Sequence, residues 1–156
     1  MSAGRSWVPV FFASAACSWV PHWSCHYYRL ETASSFAVGS WQFTKIDSLV
    51  ALLIYSLLII ANLWATTAAP VRVPVAGLSG ILHLGFAGLH FYRVALPFRF
   101  EVLGYSWSLT ASLREAIILS LFGLLSIGVA AKLGRERAFA PSGGIRERAA
   151  CAKDGA

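Results

Sequence analysis

Four histidines are the residues of this chain best suited to chemistry, and their spacing suggests a shared ligand. His22 and His26 are four residues apart, which would place both imidazoles on one face of a helix. His83 and His90, seven apart, would also share a helical face. Imidazole binds transition metals and haem iron, so one hypothesis is a haem or transition-metal site built from these four residues. The alternative is a set of structural histidines near a membrane surface.

Other catalytic signatures are missing from the sequence, which leaves open whether the protein is an enzyme. The sequence contains no CxxC pair, glycine-rich phosphate loop or GxSxG elbow, and no pair of catalytic carboxylates. Three cysteines give no disulfide framework. Cys17 and Cys25 could pair in an oxidising compartment, which would leave Cys151 free.

The elements that must position these residues are membrane helices, because the chain has too few charges for a soluble domain. Of its 156 residues, 57% are hydrophobic and 13% are charged, and the mean hydropathy is +0.63. Soluble domains are about 25% charged. Long uncharged runs exclude a disordered or nucleic-acid-wrapping protein. The predicted fold class is all-α: a polytopic membrane bundle of three to four transmembrane helices with a disordered basic C-terminal tail.

Uncharged gaps between the charged residues predict four spans. We expect them at about residues 7–20, 47–66, 73–92 and 113–133. Together they form a bundle domain over residues 1–134. The last span begins after Ser112, where Ser-Leu-Arg-Glu has the form of a capping box, and ends at Gly134. The first span is short and ends at Pro21, so a cleaved signal peptide is the competing interpretation.

Basic residues predict the orientation of the bundle. They are dense in residues 135–156, which places the C-terminus on the cytoplasmic side, or on the matrix or stromal side in an organelle. This segment has no hydrophobic periodicity, so we expect a disordered tail. The net charge of +6 is therefore explained by topology and requires no nucleic acid. The lipid bilayer is the expected partner.

The predicted helices carry polar and small residues on defined faces. An intramembrane polar stripe begins at Thr44 and continues through Ser48, Tyr55 and Asn62. We expect this stripe to face protein rather than lipid. We interpret the stripe as interhelical hydrogen bonding, with ligand binding as the alternative. One side of the third span is rich in glycine. These glycines are Gly77, Gly80 and Gly88. Such faces predict a tight bundle, self-association or docking of other membrane subunits.

The sequence also repeats itself at an offset of 64 residues. His-Tyr-Tyr-Arg at residues 26–29 is matched by His-Phe-Tyr-Arg at residues 90–93. Phe-Ala-Val at residues 36–38 is matched by Phe-Glu-Val at residues 100–102. Each copy follows one predicted span and precedes the next, which indicates a duplicated two-helix unit, with chance matching as the alternative. A pseudo-twofold axis would then place the two histidines at equivalent positions.

Three segments of the first half carry a resemblance to a known family. They are Cys-His-Tyr-Tyr-Arg-Leu-Glu at residues 25–31, Gly-Ser-Trp-Gln-Phe-Thr at residues 39–44 and Ile-Asp at residues 46–47. Together they resemble the androgen-induced-protein family of multi-span membrane hydrolases. The resemblance implies hydrolysis of fatty-acid esters by a threonine nucleophile and a histidine. It would make Thr44 the nucleophile and His90 the candidate base. Both residues lie at the same predicted depth, near the membrane surface opposite the C-terminus.

Three functions from different classes are therefore predicted as alternatives. The first is an accessory or binding subunit of a membrane complex, which the small-residue faces favour. The second is a membrane subunit for electron transfer that holds haem or a metal through its histidines. The third is the lipid-ester hydrolase that the resemblance implies.

Overall fold

The computed structural model describes residues 7–139 and is dominated by four long helices. The elements are α1 (Trp7–Thr32), β1 (Phe36–Val38), β2 (Trp41–Gln42), α2 (Lys45–Thr67), α3 (Arg72–Ala95), β3 (Phe100–Val102), β4 (Tyr105–Ser106) and α4 (Leu109–Ala138). A short 3-10 turn, Ala69–Val71, joins α2 to α3. The predicted helical bundle is confirmed, and two small hairpins that were not predicted are added to it.

Three helices in the described part of the chain are long and apolar enough to cross a membrane. They are Lys45–Thr67, Ala69–Ala95 and Leu109–Ala138. The remaining helix, α1, is longer than predicted, because it does not stop at Pro21 but continues to Thr32. Proline removes one backbone hydrogen bond from a helix, and packing of α1 along α2 offsets this loss.

The ends of α4 also differ from the prediction. Its N-cap is Ser108, whose Oγ accepts a hydrogen bond from the Ala111 amide at 3.0 Å. Ser112 is instead buried inside the helix. At the other end the helix passes Gly134 and ends at Ala138, so the predicted tail begins later than residue 135. Residues 140–156 of that tail lie outside the described residues.

The two halves of the chain have the same architecture. The first repeat is α1-β1-β2-α2 and the second repeat is α3-β3-β4-α4. The hairpins join into one sheet with the order β2-β1-β3-β4. In its centre Ala37 faces Glu101, Phe36 faces Val102 and Val38 faces Phe100 in antiparallel register. Because residues 36–38 correspond to residues 100–102, this register is symmetrical, as a pseudo-twofold relation between the repeats requires.

The bundle has an apolar end and a polar end. Far from the sheet, all four helices contribute to one apolar cluster. Its buried members are Val8, Phe12, Ala65, Ala76, Val129 and Leu133. Near the sheet, buried arginine, histidine and serine side chains replace aliphatic ones. The sheet therefore covers the end of the bundle that holds the predicted site residues.

Glycines set a close crossing between α3 and α4. A Cβ added at Gly80 would lie 2.8 Å from the Ile127 side chain, and one at Gly123 would lie 2.6 Å from Leu84. The glycines predicted to share one side of α3 therefore have different surroundings. Gly80 packs internally, whereas a Cβ at Gly77 or Gly88 would meet no described atom within 4 Å.

Candidate functional site

The polar end of the bundle is organised by two buried arginines, one in each repeat. Arg29 of α1 donates hydrogen bonds to the Thr44 carbonyl at 3.0 Å and to Ser48 Oγ at 2.7 Å, and a third to the Phe43 carbonyl. These acceptors lie at the start of α2. A guanidinium group suits this role because its five N–H donors have a fixed planar arrangement. Arg29 thus fastens the end of α1 to the beginning of α2.

Arg93 repeats this arrangement in the second repeat. It donates hydrogen bonds to the Ser108 carbonyl at 3.1 Å, to Ser112 Oγ and to the Trp107 carbonyl. Each acceptor is 64 residues after its counterpart in the first repeat. We call these two sets of contacts the arginine clamps. Neither arginine was predicted to have a role, although both belong to the repeated motif.

The predicted equivalence of His26 and His90 holds for their positions but not for their hydrogen bonds. His26 Nδ1 lies 3.2 Å from Ser48 Oγ, and its ring stacks on Phe36 with centroids 5.1 Å apart. His90 lies 5.4 Å from the ring of Phe100, the counterpart of Phe36. Its Nδ1 is buried and has no hydrogen-bond partner among residues 7–139. The second histidine is therefore left with an unused nitrogen.

Thr44, the predicted nucleophile, is the N-cap of α2. Its Oγ1 accepts a hydrogen bond from the Asp47 amide at 3.2 Å and donates one to Asp47 Oδ2 at 2.8 Å. Ser108 caps α4 at the corresponding position. Within the described chain no hydrogen bond joins Thr44 to His90. The hydroxyl is thus engaged in a capping box, and the hydrolase stays a prediction.

A layer of rings lies deeper in the bundle than the arginine clamps, and we call it the ring layer. The ring of buried Trp19 lies 4.1 Å from His83 and 5.9 Å from both His22 and Tyr55, measured between centroids. Phe86 lies 5.8 Å from His22. The ring layer therefore joins α1, α2 and α3 around the centre of the bundle.

The four histidines are not assembled into one ligand set. Both nitrogens of His83 are occupied, Nδ1 by the Ser79 carbonyl at 2.7 Å and Nε2 by Ser18 Oγ at 3.0 Å. In the described part of the chain no group of three or more His, Cys, Asp or Glu residues is placed to hold a metal ion. Haem or metal binding by His22, His26, His83 and His90 stays a prediction without such a group to support it.

The polar stripe of α2 faces the interior. Ser48, Tyr55 and Asn62 are all buried. Asn62 donates hydrogen bonds to Ser79 Oγ at 3.0 Å and to the Leu58 carbonyl at 2.8 Å, and Ser48 belongs to the first arginine clamp. These contacts join α2 to its two neighbours, which is the interhelical bonding expected of polar residues in an apolar helix.

Cys17 and Cys25 do not form the disulfide that an oxidising compartment would have permitted. Both are free and both lie on α1. Eight residues of helix separate their Cα atoms by about 12 Å, well beyond the reach of a disulfide.

Glu115 of α4 does not form the capping box predicted with Ser112, because the helix begins at Leu109. Its side chain is 28% exposed, and it pairs with Arg114 at 3.5 Å, whose side chain is 66% exposed.

Comparisons with known proteins do not assign this site. No protein-family model, curated protein or solved structure matches the chain. The repeats themselves provide the informative comparison. Both arginine clamps use an arginine, a serine hydroxyl and backbone carbonyls at corresponding positions. In contrast, Trp19 corresponds to His83, His22 to Phe86 and Ala51 to Glu115.

Proposed function

We propose that this chain is a multi-pass integral membrane protein that acts as an accessory or binding subunit of a membrane complex. Its three long apolar helices support insertion. Large aliphatic side chains such as Leu53 and Leu121 are exposed on their outer faces. Basic residues at the end of α4, including Lys132 and Arg135, favour an orientation with the C-terminus on the cytoplasmic, matrix or stromal side.

The observation that carries the proposal is an open apolar groove between α1 and α4. It is lined by Trp7, Leu124, Leu125, Gly128, Val129 and Lys132. A Cβ added at Gly128 would meet no atom of residues 7–139 within 4 Å, so a neighbouring helix has room to approach the backbone. Lys132 lies 5.0 Å from the ring centre of Trp7 and marks the basic end of the groove. The occupant we infer is a transmembrane helix of another subunit.

The internal contacts support binding over catalysis. The hydroxyl of Thr44 caps a helix, and that of Ser48 completes an arginine clamp. The hydroxyl of Ser79 accepts a hydrogen bond from the side-chain amide of Asn62. These three hydroxyls are thus engaged in capping a helix or joining helices, which is the pattern of a scaffold.

A photo-crosslinking experiment tests the groove directly. A photoreactive phenylalanine analogue replaces Leu125 in the groove, or Leu57 on α2 as the matched control. The two leucines are exposed to a similar degree, 56% and 58%. After irradiation of the membranes in which the protein is made, position 125 should give a discrete adduct with a larger membrane protein, and position 57 should give lipid adducts. Lipid adducts alone at both positions would refute the proposal.

A pair of glycine substitutions provides a second test. Gly128→Leu should block the groove and abolish co-purification of the partner. Gly85→Leu is the control, because its Cβ also projects into open space but on α3. Circular dichroism should show the same helical content for both variants. Equal retention of the partner by the two would place the interface elsewhere and contradict the proposal.

A further inference from the structure

The two faces of the four-stranded sheet differ in chemistry. Residues that pair directly across antiparallel strands have their side chains on the same face, and so do alternate residues of one strand. One face therefore carries apolar or aromatic side chains alone. They are Phe36, Val38, Trp41, Phe100, Val102 and Tyr105. The other face carries Ala37, Gln42, Glu101 and Ser106. The sheet is thus amphipathic.

The apolar face of the sheet is turned towards the helix bundle. In its centre, Phe36 lies against the buried ring of His26 on α1, with centroids 5.1 Å apart. Phe100 lies 5.4 Å from the buried ring of His90 on α3. The central strands therefore rest on the ends of two helices, and the polar face is directed away from the bundle.

The apolar face extends past the bundle at both edges of the sheet. Trp41 belongs to the edge strand β2, and Tyr105 occupies the corresponding position in the other edge strand, β4. The central Phe100 is 9% exposed, whereas Trp41 is 63% exposed and Tyr105 is 78% exposed. Trp41 lies 6.3 Å from the ring of Phe43, measured between centroids. Both edge rings are therefore uncovered on the side of the sheet from which the helices run.

The length of α2 sets the level of the sheet relative to a bilayer. Its 23 residues span about 35 Å, compared with about 30 Å for a hydrocarbon core and about 40–45 Å with the head groups included. The first turn of α2 then lies among the head groups, and β2 ends three positions before this helix begins. Open sheet edges do not occur within the hydrocarbon core, so the head-group layer suits β2 and β4.

On the basis of the membrane insertion proposed above, we propose that the apolar face of the sheet binds the head-group layer of the bilayer through Trp41 and Tyr105. Each ring has an apolar body for lipid and an N–H or O–H group for phosphate, ester oxygens or water. The adjoining helix ends continue this surface, because Tyr28 and Tyr92 are exposed there. The sheet lies along the leaflet opposite the end of α4 and fixes the depth of the bundle.

The test is the accessibility of nitroxide labels on the full chain in phospholipid vesicles. A cysteine-free chain is made with Cys17→Ala, Cys25→Ala and Cys151→Ala, and one cysteine is then returned to it. Trp41→Cys and Tyr105→Cys probe the apolar face, and Gln42→Cys and Ser106→Cys are the matched controls, exposed on the polar face of the same strands. Collisions with oxygen, which concentrates in lipid, are compared with collisions with a water-soluble nickel chelate. The ratio of oxygen to nickel collisions should be severalfold higher at residues 41 and 105 than at residues 42 and 106.

A label in the middle of α2 separates a failure of insertion from a failure of the sheet surface. Leu57→Cys, on the outer face of the helix, should give the highest ratio of oxygen to nickel collisions. Free access of nickel to residue 57 would refute both insertion and the sheet surface. Oxygen-rich collisions at residue 57 with nickel-rich collisions at all four strand positions would overturn the sheet surface alone. A label at residue 41 or 105 that neither reagent reaches would indicate a protein contact and would also overturn it.

Tryptophan fluorescence provides a second measurement that keeps an aromatic ring at the edge of the sheet. Trp41→Tyr retains an interfacial side chain, and the emission lost on this substitution is the contribution of Trp41. In vesicles, lipid brominated near the head group should quench this contribution more strongly than lipid brominated at the chain end. Stronger quenching by the chain-end bromines, or no quenching by either lipid, would contradict the proposal.

Discussion

The two repeats of this bundle agree at the arginine clamps and differ in and around the ring layer. In both repeats an arginine at the end of one helix binds a serine hydroxyl and two carbonyls at the start of the next. Farther from the sheet, Trp19 of the first repeat corresponds to His83, and Ala51 corresponds to Glu115. The shared contacts are those that a helix pair needs in order to close. The residues that differ are free to serve a task that only one repeat performs.

Removal of an arginine clamp should have the largest effect on stability. Arg29→Ala leaves a hydroxyl and two carbonyls without their donor, and Arg93→Ala leaves the Phe98 carbonyl in addition, so we expect a loss of about 3 kcal/mol at Arg29 and a somewhat larger one at Arg93. Lysine should restore little, because it lacks the planar set of donors. The measurement is unfolding in mixed micelles, followed by circular dichroism. A loss at one arginine several times larger than at the other would show that the clamps are not equivalent.

The close crossing of α3 and α4 should come next, and it has no counterpart between α1 and α2. Gly80→Ala pushes a Cβ against Ile127 and should cost about 1–3 kcal/mol. In the first repeat the equivalent residue is Ala16, which is already buried without disrupting its helix pair. Gly88→Ala is the control, since its Cβ would reach no described neighbour. Equal thermal stability of the Gly80 and Gly88 variants would contradict the close crossing.

The helices were predictable because they follow from local composition, whereas the sheet was not. Charges at Asp47 and Arg72 bound an apolar run, and this run became α2. The strands have two or three residues each, too few for a period-two pattern to be recognised. The central pair, β1 and β3, joins segments 64 residues apart, so it depends on the bundle having formed. The repeated motif predicted which residues correspond, but not that they pair.

The start of α4 shows how a tertiary contact can override a local signal. Ser112 with Glu115 has the sequence of a capping box, but Ser108 is the N-cap and the helix begins earlier, at Leu109. Ser112 Oγ accepts a hydrogen bond from Arg93 of α3 instead. The second arginine clamp was hidden for the same reason, because it forms only where the end of α3 meets the start of α4. Periodicity along one helix carries no information about that contact.

The helix caps should have a moderate effect that also tests the predicted hydrolase. Thr44→Ala and Ser108→Ala each remove a side-chain acceptor at a helix start and should cost about 1 kcal/mol. The loss should be slightly larger for Thr44, because its hydroxyl also donates a hydrogen bond to Asp47 Oδ2. A fluorophosphonate probe is then applied to the wild type and both variants, and we expect no labelling of any. Labelling of the wild type that disappears only in the Thr44 variant would instead establish a nucleophile.

The smallest expected effect comes from the two histidines of the repeated motif, and it refines the comparison further. His26→Ala removes the hydrogen bond to Ser48 and should destabilise the fold by about 1 kcal/mol more than His90→Ala, whose Nδ1 has no partner to lose. Both variants lose a ring contact with a phenylalanine, but His26 also packs against the rings of Phe43 and Tyr55, so its larger loss combines these contacts with the hydrogen bond. Equal stability of the His26→Ala and His90→Ala proteins in mixed micelles would show that the two histidines are equivalent and would contradict this expected difference.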